Sequence, residues 1–404
     1  MRPRILFVDD DPRVQQGLGR TLRYMRERWD MAFADGPETA INALAQGPFE
    51  VVVTDMRMAG MDGADLLGWV RERHPEVVRI ILSGYSDKEA VFRTVGPAHQ
   101  YLAKPCEHEV LIQTIDRALT LRRKVASEEV RSLVAGVETL PSPPAHFAEL
   151  IQALDSPTSS AASIAAIMSR DVAMVAQTLK LTNSAYFGLP VKVDSLMHAV
   201  QLLGVETIRN LALVVGFFRD YVGDADTLGR MNTLSRRSLS IGELAAAIAR
   251  QEGLPGSVTR QAEAAGVLSH VGTLLLMARW PERFGRAIEL LEREGLGVAD
   301  AEFRVFGSTH AEIGAYLLGL WGFTDPIVEA VAYHHSPSEH GSGELGPVAL
   351  VHAAQYLCRV RSFDPSELDV PTSMLDVGYL TRLGVLDRLA RWAAIKQDLR
   401  GGGQ

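Results

Sequence analysis

The stretch ILFVDDDP, residues 5–12, joins a short apolar run to three aspartates and a proline. Four consecutive aliphatic, aromatic or β-branched residues are typical of a strand that is buried on both faces. Asp11 and Pro12 are the residue types that favour a helix N-cap and the first position of a helix. The stretch therefore predicts a buried strand that ends in carboxylates and passes directly into a helix.

The same alternation of apolar runs and helical patterns continues over about the first 120 residues. The runs are ILFV (5–8), MAFA (31–34), VVVT (51–54), VRIILS (78–83) and HQYLA (99–103). The helical patterns are PRVQQGLGRTLRYMRER, PETAINALAQ, GADLLGWVRER and DKEAVFRTV. Strands interleaved with helices predict an α/β fold: a doubly wound, five-stranded parallel sheet of the flavodoxin-like type with right-handed crossovers.

The pattern changes after Pro105. Residues 107–136 favour one long helix, continuous with the last helix of the first domain, and LPSPPAHF (140–147) is a proline-rich joint that an α-helix does not cross. Helical periodicity dominates from there onward, with Thr309 and Glu312 at the spacing of a capping box. We therefore expect three parts: a domain over 1–120, a linker helix over 107–136 and an all-α domain over 138–400.

Composition narrows the classes of function. The 404 residues suggest two or three domains, and a net charge of −8 argues against a protein held on nucleic acid by bulk positive charge. Two cysteines make no disulfide framework and match no zinc spacing. The N-terminal apolar run is followed at once by three aspartates, which argues against a signal peptide. No apolar run approaches the ~18–20 residues that span a membrane. A cytoplasmic protein is expected.

Polar residues follow the predicted strands at one edge of the sheet, where ligands of open parallel sheets bind. Asp9, Asp10 and Asp55 end two strands, Ser83 ends another, and Lys104 follows the last. Converging carboxylates need a cation, and hard oxygen ligands suit Mg²⁺. A lysine and a hydroxyl supply the charge and the donor that a phosphoryl group requires. Asp55 would then be the nucleophile, and an aspartyl phosphate would be the product.

These motifs, VDD, Asp55 with its loop MRMAGMDG, LSGYSD and YLAKP, resemble the receiver domain of two-component response regulators. The resemblance implies that Asp55 is the phosphoacceptor and that Asp10, Asp55 and the backbone carbonyl of Arg57 bind Mg²⁺ directly. It also implies that Asp9 binds the metal through water and that Lys104 contacts the phosphate. Pro105 would follow a cis peptide bond.

The resemblance further implies a switch. Ser83 would move toward the phosphoryl group, and Tyr101 would turn inward as the switch aromatic. The face formed by the fourth helix, the fifth strand and the last helix of the receiver would then change, and the linker helix would carry that change to the second domain. A sensor histidine kinase is the implied partner.

The helical half contains five segments in order that look like the HDOD domain, a relative of the HD-type metal phosphohydrolases. They are LPSPP, SRDVAMVAQTLKLTNSAYFG, HAVQLLGVETIRNL, AAGVLSHVGTLLL and GSTHAEIGAYLLGLWGFTDPIVEAVAYHH. The resemblance covers 138–340 well and the remainder loosely. It implies a non-catalytic output domain that binds a protein partner.

The catalytic relatives hold metal through a His, a His-Asp pair and a later Asp. Here the first position aligns with Arg237, the pair with Ser269 and His270, and the last with Gln355. These replacements, and the absence of the GYP-type motif of cyclic-dinucleotide phosphodiesterases, argue against hydrolysis.

The remaining histidines are expected to be ordinary buried or interface side chains. They are His270, His310, His334, His335 and His352. Together they could in principle assemble a different metal site. His334 and His335 are the only adjacent pair, and neighbours on a helix point about 100° apart, which is poor for chelation.

Three alternatives stay open from the sequence. The helical domain could be an HD-like sensor that binds nucleotides or cyclic dinucleotides, with Arg237 on a phosphate, or a residual phosphohydrolase. A transcription factor is less favoured, because RRSLSIGELAAAIA is the nearest basic helix start and a single arginine pair is weak. A homodimer through the receiver or the linker helix also stays open.

Overall fold

The computed structural model describes most of the chain, and the ranges are 2–84, 97–156, 158–183, 192–213, 219–359 and 374–401. The helix predicted for DKEAVFRTV lies outside these residues. The chain divides into two compact units. The first contains 1–138 with the short segments 180–192 and 316–322, and the second contains the rest.

The first unit is built on a parallel sheet. Its strands are β1 (Arg4–Val8), β2 (Asp30–Ala34), β3 (Val51–Asp55), β4 (Val78–Ser83) and β5 (Gln100–Ala103). Its helices are α1 (Pro12–Thr21), a 3₁₀ turn (Arg23–Glu27), α2 (Pro37–Gln46), α3 (Gly63–Arg73), α4 (His108–Lys124) and α5 (Glu128–Ala135). The strand order is β2-β1-β3-β4-β5, and every pairing is parallel. The predicted α/β fold is confirmed.

Burial of the central strands explains why their sequences are continuously apolar. Val51 to Thr54 in β3 and all of β4 are buried, as a sheet covered on both faces requires. Asp11 caps α1 by accepting a hydrogen bond from the Arg13 N–H, with Pro12 at the first helical position, as predicted. Each strand therefore delivers its last residue to one edge of the sheet.

The single linker helix predicted over 107–136 is wrong. The chain leaves the helix at Val125, whose backbone is extended, and starts a new one after Ser127. The Ser127 Oγ caps α5 by accepting from the Val130 N–H, and Glu128 and Glu129 occupy its first turn. A serine followed by two acids is a helix-start signal that was available in the sequence.

The second unit is predominantly helical, and the C-terminal ends of two of its helices, Val172–Thr182 and His310–Leu320, belong to the short segments of the first unit. Its helices are α6 (Pro144–Asp155), α7 (Ala161–Met168), α8 (Val172–Thr182), α9 (Leu196–Leu203), α10 (Val205–Leu213), α11 (Ala225–Gln251), α12 (Gly256–Leu268), α13 (Val271–Arg279), α14 (Pro281–Glu294), α15 (Val298–Phe306), α16 (His310–Leu320), α17 (Asp325–Tyr333), α18 (Pro347–Arg359), α19 (Val377–Arg382) and α20 (Leu389–Gly401). Two 3₁₀ turns cover Pro337–His340 and Leu386–Arg388.

One short pairing departs from the predicted all-helical half. β6 (Pro141–Ser142) pairs in parallel with β7 (Arg219–Asp220). The first half of the proline-rich joint is thus extended, because the residue before a proline avoids the helical region, and Pro144 then begins α6. The core of the unit forms around the long helix α11, against which α12 and α18 pack.

Among the described residues, no helix combines the length and the apolar character that crossing a membrane would demand.

Candidate functional site

The acidic edge of the sheet brings the predicted carboxylates together. Asp9 follows β1 and Asp55 ends β3, its neighbour in the sheet. One carboxylate oxygen from each of Asp9, Asp10 and Asp55 lies within 4.8 Å of the others. Asp9 is buried, Asp55 is partly buried and Asp10 is exposed, so the cluster opens to solvent on one side.

Lys104 is the cation of this edge. Its Nζ lies 2.6 Å from Asp55 Oδ1 and donates to Asp9 Oδ2 at 3.1 Å. Burial alone would lower the pKa of Lys104, but the hydrogen bond to Asp55 and the charges of Asp55 and Asp9 outweigh it, and the pKa is raised above 10.5. Three carboxylates against one ammonium leave an excess of negative charge. This all-oxygen donor set fits a hard divalent cation such as Mg²⁺.

Backbone donors hold two of the carboxylates in place. The Asp11 N–H donates to Asp9 Oδ1 at 2.9 Å, and the Ala59 N–H donates to Asp10 Oδ2 at 3.0 Å. Arg57 lies between Asp55 and Ala59 in the loop that leads to α3. A metal-binding role for the Arg57 carbonyl stays a prediction.

Gly63 is a positioning residue that the sequence reasoning missed. A Cβ at this position would lie 2.1 Å from the backbone oxygen of Asp55. The Gly63 N–H donates to the Met56 carbonyl at 2.9 Å, so the start of α3 lies directly on the end of β3. Only glycine allows this close approach, and the motif MDG, in which it stands, was the available signal.

Ser83 and Tyr101 lie beside this edge. Ser83 ends β4 and is paired with Ala103, and its Oγ donates to the Gly84 carbonyl at 3.3 Å. The Lys104 N–H donates to the Ser83 carbonyl at 2.8 Å, which connects the serine to the lysine through the backbone. Tyr101 is 8% exposed and packs in the apolar core, so its ring already faces inward. The Lys104–Pro105 peptide is cis, as predicted.

In the second unit, the aligned HD positions come together around α11. Arg237 lies on α11, Ser269 and His270 lie between α12 and α13, and Gln355 lies on α18. The Gln355 amide nitrogen is 3.2 Å from His335 Nδ1, and Ser269 Oγ is 2.9 Å from His270 Nδ1. The aligned positions therefore lie at one locus, and His270 also belongs to a cluster of histidines there.

Four histidines converge at that locus. One ring nitrogen from each of His270, His310, His334 and His335 lies within 4.8 Å of the others. The expectation that His334 and His335 diverge is wrong: both follow the end of α17 at Tyr333, and one ring nitrogen of each lies in the cluster. Their ring centroids are 4.1 Å apart. The predicted capping box of Thr309 and Glu312 is present and fixes the start of α16 at His310.

Gly272 makes the convergence possible. A Cβ on Gly272 would lie 2.1 Å from the His310 carbonyl oxygen. The first turn of α13 therefore lies against the first turn of α16, and the rings of His270 and His310 stack with centroids 5.4 Å apart. Neither this glycine nor the cluster was found from the sequence.

His352, the fifth histidine of the group, has a structural role. Its Nδ1 lies 2.8 Å from the His334 carbonyl, and its Nε2 accepts from the Asp376 N–H at 2.9 Å. Burial lowers the pKa of His352. Because both of its ring nitrogens contact backbone groups, His352 holds the backbone of His334 in place.

A cavity of about 160 Å³ lies beside the cluster. His270, His310 and Glu302 form part of its wall, Arg237 and Arg359 contribute two guanidinium groups, and the remainder is mainly apolar. Burial, and then the charge of Arg359, lowers the pKa of Arg237 to about 10, which still leaves the guanidinium protonated at neutral pH. Arg237 Nη2 is buried without a hydrogen-bond partner in the described part of the chain. Two guanidinium groups against one carboxylate give the wall of the cavity a net positive charge.

Comparison with protein families gives two matches. A model described as the response regulator receiver domain matches residues 5–116, and one described as the HDOD domain matches residues 140–337.

Individual relatives match parts of the chain. An uncharacterized protein of Treponema pallidum is 25% identical over 268 residues, which are 65% of this chain and 51% of that protein. The hydrogenase transcriptional regulatory protein HoxA of Cupriavidus necator is 38% identical over 117 residues, 28% of this chain and 24% of that protein. The chain thus spans about half the length of the first and about a quarter of the second.

Among solved structures, the MmoQ response regulator of Methylococcus capsulatus aligns at 21% identity with a TM-score of 0.46. It covers 63% of this chain and 98% of that one.

Proposed function

The chain carries a response regulator receiver domain followed by an HDOD domain, and we propose that it is a phosphorylation-controlled regulator in which Asp55 accepts the phosphoryl group. The observation that carries the proposal is the Asp55 carboxylate at a strand end, held 2.6 Å from the Lys104 ammonium beside Asp9 and Asp10.

The donor is a phosphohistidine of a sensor histidine kinase. The Asp55 carboxylate oxygen forms the new bond to phosphorus while the phosphorus–nitrogen bond breaks and its electron pair returns to the imidazole. Lys104 neutralises charge on the phosphoryl oxygens, and the Ser83 hydroxyl is the donor that moves toward them.

Asp9, Asp10 and Asp55, with the Arg57 carbonyl, are the residues that would hold Mg²⁺. The ion would supply the positive charge that lets the carboxylate and the phosphoryl group approach each other. Without it, three carboxylates and one ammonium would repel a phosphoryl donor.

The output passes along the chain through α4 and α5 into the HDOD domain, which binds a protein partner without hydrolysing a substrate. Support comes from three of the aligned HD metal positions, which hold Arg237, Ser269 and Gln355. Arginine does not ligate metal, and serine and glutamine are weak ligands.

The test has two steps. First, the full chain is incubated with acetyl phosphate and Mg²⁺, and acyl phosphate is followed by radiolabel. Wild type and Asp65→Asn, an exposed acid on α3, should take label, and Asp55→Asn should not. Label on Asp55→Asn would overturn the proposed phosphoacceptor.

Second, wild type loaded with Mg²⁺ and beryllofluoride and Asp55→Asn treated identically serve as baits in native lysate. A protein retained by one bait alone identifies the output and its sign. Identical sets would overturn control of partner binding by the receiver.

A second candidate function is favoured by the cavity with Arg237 and Arg359, namely a sensor for a phosphate-bearing ligand such as a nucleotide or a cyclic dinucleotide. Thermal-shift titration with nucleoside monophosphates and cyclic dinucleotides would test it. A ligand that stabilises wild type and Arg286→Ala, an exposed residue of α14, but not Arg237→Ala would support it. A ligand response unchanged in Arg237→Ala, or no response to any of these compounds, would argue against it.

A further inference from the structure

The four clustered histidines come from three separate places in the second unit. His270 precedes α13, His310 opens α16, and His334 and His335 follow α17. Three of them are buried and His335 is partly buried. The Nε2 of His310 lies 3.3 Å from the Nε2 of His334 and 3.1 Å from the Nε2 of His335.

Hydrogen bonds on the outer side of three rings determine where their protons lie. His310 Nδ1 is 2.7 Å from the Glu302 carboxylate, and His334 Nδ1 is 2.7 Å from the Val331 carbonyl. His270 Nδ1 faces the Ser269 hydroxyl, which itself donates to the Gly266 carbonyl and is left to accept. Each Nδ1 therefore carries the proton, and each Nε2 has a lone pair directed into the cluster.

This arrangement leaves lone pairs facing one another in a buried space. His270 Nε2 is buried and has no hydrogen-bond partner among the described residues. A proton on His335 Nε2 could satisfy one contact with His310, but the lone pairs of His270, His310 and His334 would remain together.

We propose that a divalent transition-metal ion, with Zn²⁺ as the best match, binds His270, His310, His334 and His335 through their Nε2 atoms. Imidazole nitrogen is a preferred ligand of zinc, at about 2.0–2.1 Å. Tetrahedral ligands at that distance lie about 3.3–3.4 Å apart, close to the two separations observed. The four ligand atoms all lie within 4.8 Å of one another, so the widest pair closes by no more than about 1.5 Å to reach tetrahedral spacing.

The surroundings are those that stabilise such a site. Glu302 accepts from His310 Nδ1 and supplies a buried negative charge, as carboxylates behind metal-bound histidines commonly do. Gln355 Oε1 is buried and without a hydrogen-bond partner in the described part of the chain. Exchanging its amide oxygen and nitrogen, which occupy similar positions, lets Oε1 accept from His335 Nδ1–H and leaves His335 Nε2 for the metal.

The test uses the untagged full chain. The protein is loaded with Zn²⁺ in the presence of saturating Mg²⁺, which occupies the acidic edge of the receiver, and is then dialysed. Metal content is measured by mass spectrometry, and zinc X-ray absorption gives the ligands. About one equivalent of zinc per chain, with nitrogen ligands at about 2.0–2.1 Å, is expected.

Two variants and one control complete the experiment. His335→Ala removes a ligand at the partly exposed edge of the cluster and should lose the retained zinc. Glu302→Gln keeps the shape but removes the charge, and should weaken zinc binding roughly 10- to 100-fold. His198→Gln, an exposed histidine on α9, should retain zinc as wild type does, and near-UV circular dichroism checks that each variant is folded.

The proposal is overturned if wild type retains no zinc, if folded His335→Ala retains as much zinc as wild type, or if the absorption spectrum shows sulfur or all-oxygen ligands. The site does not depend on phosphorylation of Asp55. Loss of label in Asp55→Asn and loss of zinc in His335→Ala are separate outcomes.

Discussion

The Nζ of Lys104 lies 2.6 Å from Oδ1 of Asp55. Lys104 follows β5 and Asp55 ends β3, and β4 lies between these two strands in the sheet. The contact spans a whole strand because Lys104 is long enough to cross the end of β4 at Ser83. The same ammonium also reaches Asp9 beyond Asp55. One side chain thus joins three strand ends into a single charged pocket.

Lys104→Met should slow phosphorylation of Asp55 by acetyl phosphate about 100-fold, because loss of one charged donor at a reacting centre typically costs that much. The initial rate of label incorporation measures the effect. Lys124→Met, an exposed lysine at the end of α4, should react at the wild-type rate. Equal rates for Lys104→Met and wild type would remove Lys104 from the phosphoryl site.

Gly63→Ala should destabilise the receiver by about 1–3 kcal/mol, because the new methyl group would lie against the Asp55 backbone oxygen and force α3 away from β3. Urea unfolding measures the loss. Gly68→Ala, on the same helix with no atom near its added Cβ, should be neutral or stabilising by up to about 1 kcal/mol. The same loss in both variants would mean that helix propensity, not the contact with Asp55, is responsible.

Acid should weaken the first unit through His99. Its Nδ1 accepts from the Arg79 N–H at 2.9 Å, and its Nε2 is 2.7 Å from the carbonyl of Ala135, the last residue of α5. Burial, and then the charge of Arg79, lowers the pKa of His99 well below 6.5. Between that lowered pKa and 6.5, the unfolded chain binds a proton on His99 that the folded chain does not bind. The contribution of neutral His99 to the free energy of unfolding is therefore complete above pH 6.5 and declines as the pH falls below it.

The free energy of unfolding of this unit should fall by up to about 1.4 kcal/mol for each pH unit, from this one residue. Hydrogen exchange of residues 128–135, corrected for intrinsic rates, measures it between neutral pH and pH 5. In His99→Gln the protection at neutral pH should be lower and its dependence on pH should flatten. An unchanged dependence in the variant would assign the effect to other groups.

Gly272→Ala should disturb the histidine cluster without touching any of its rings. The added Cβ would meet the His310 carbonyl oxygen, separate α13 from α16 and cost about 1–3 kcal/mol of unfolding free energy. Zinc retention should fall with it. Gly285→Ala on α14, where the added methyl group meets no atom, should keep wild-type stability and zinc retention. A Gly272→Ala protein with wild-type stability would contradict the close approach of α13 to α16.

Sequence patterning predicted the receiver fold well because its signals are local. Each buried strand is a short apolar run, and the acids and the lysine stand directly at the strand ends, where parallel topology brings them to one edge. Ser127 with its two acids is an equally local signal for a new helix, but the helical periodicity on either side of it favours one continuous helix, and that periodicity does not show the break.

The amino-acid sequence by itself thus determined the parallel sheet, the helical second half and the acidic edge around Asp55. Tertiary structure alone decided the convergence of His270, His310, His334 and His335. Those residues lie at the ends of different helices, and no periodicity links them. Their meeting depends on where α17 stops and on how closely Gly272 lets α13 approach α16, which are properties of packing between helices and not of any one segment.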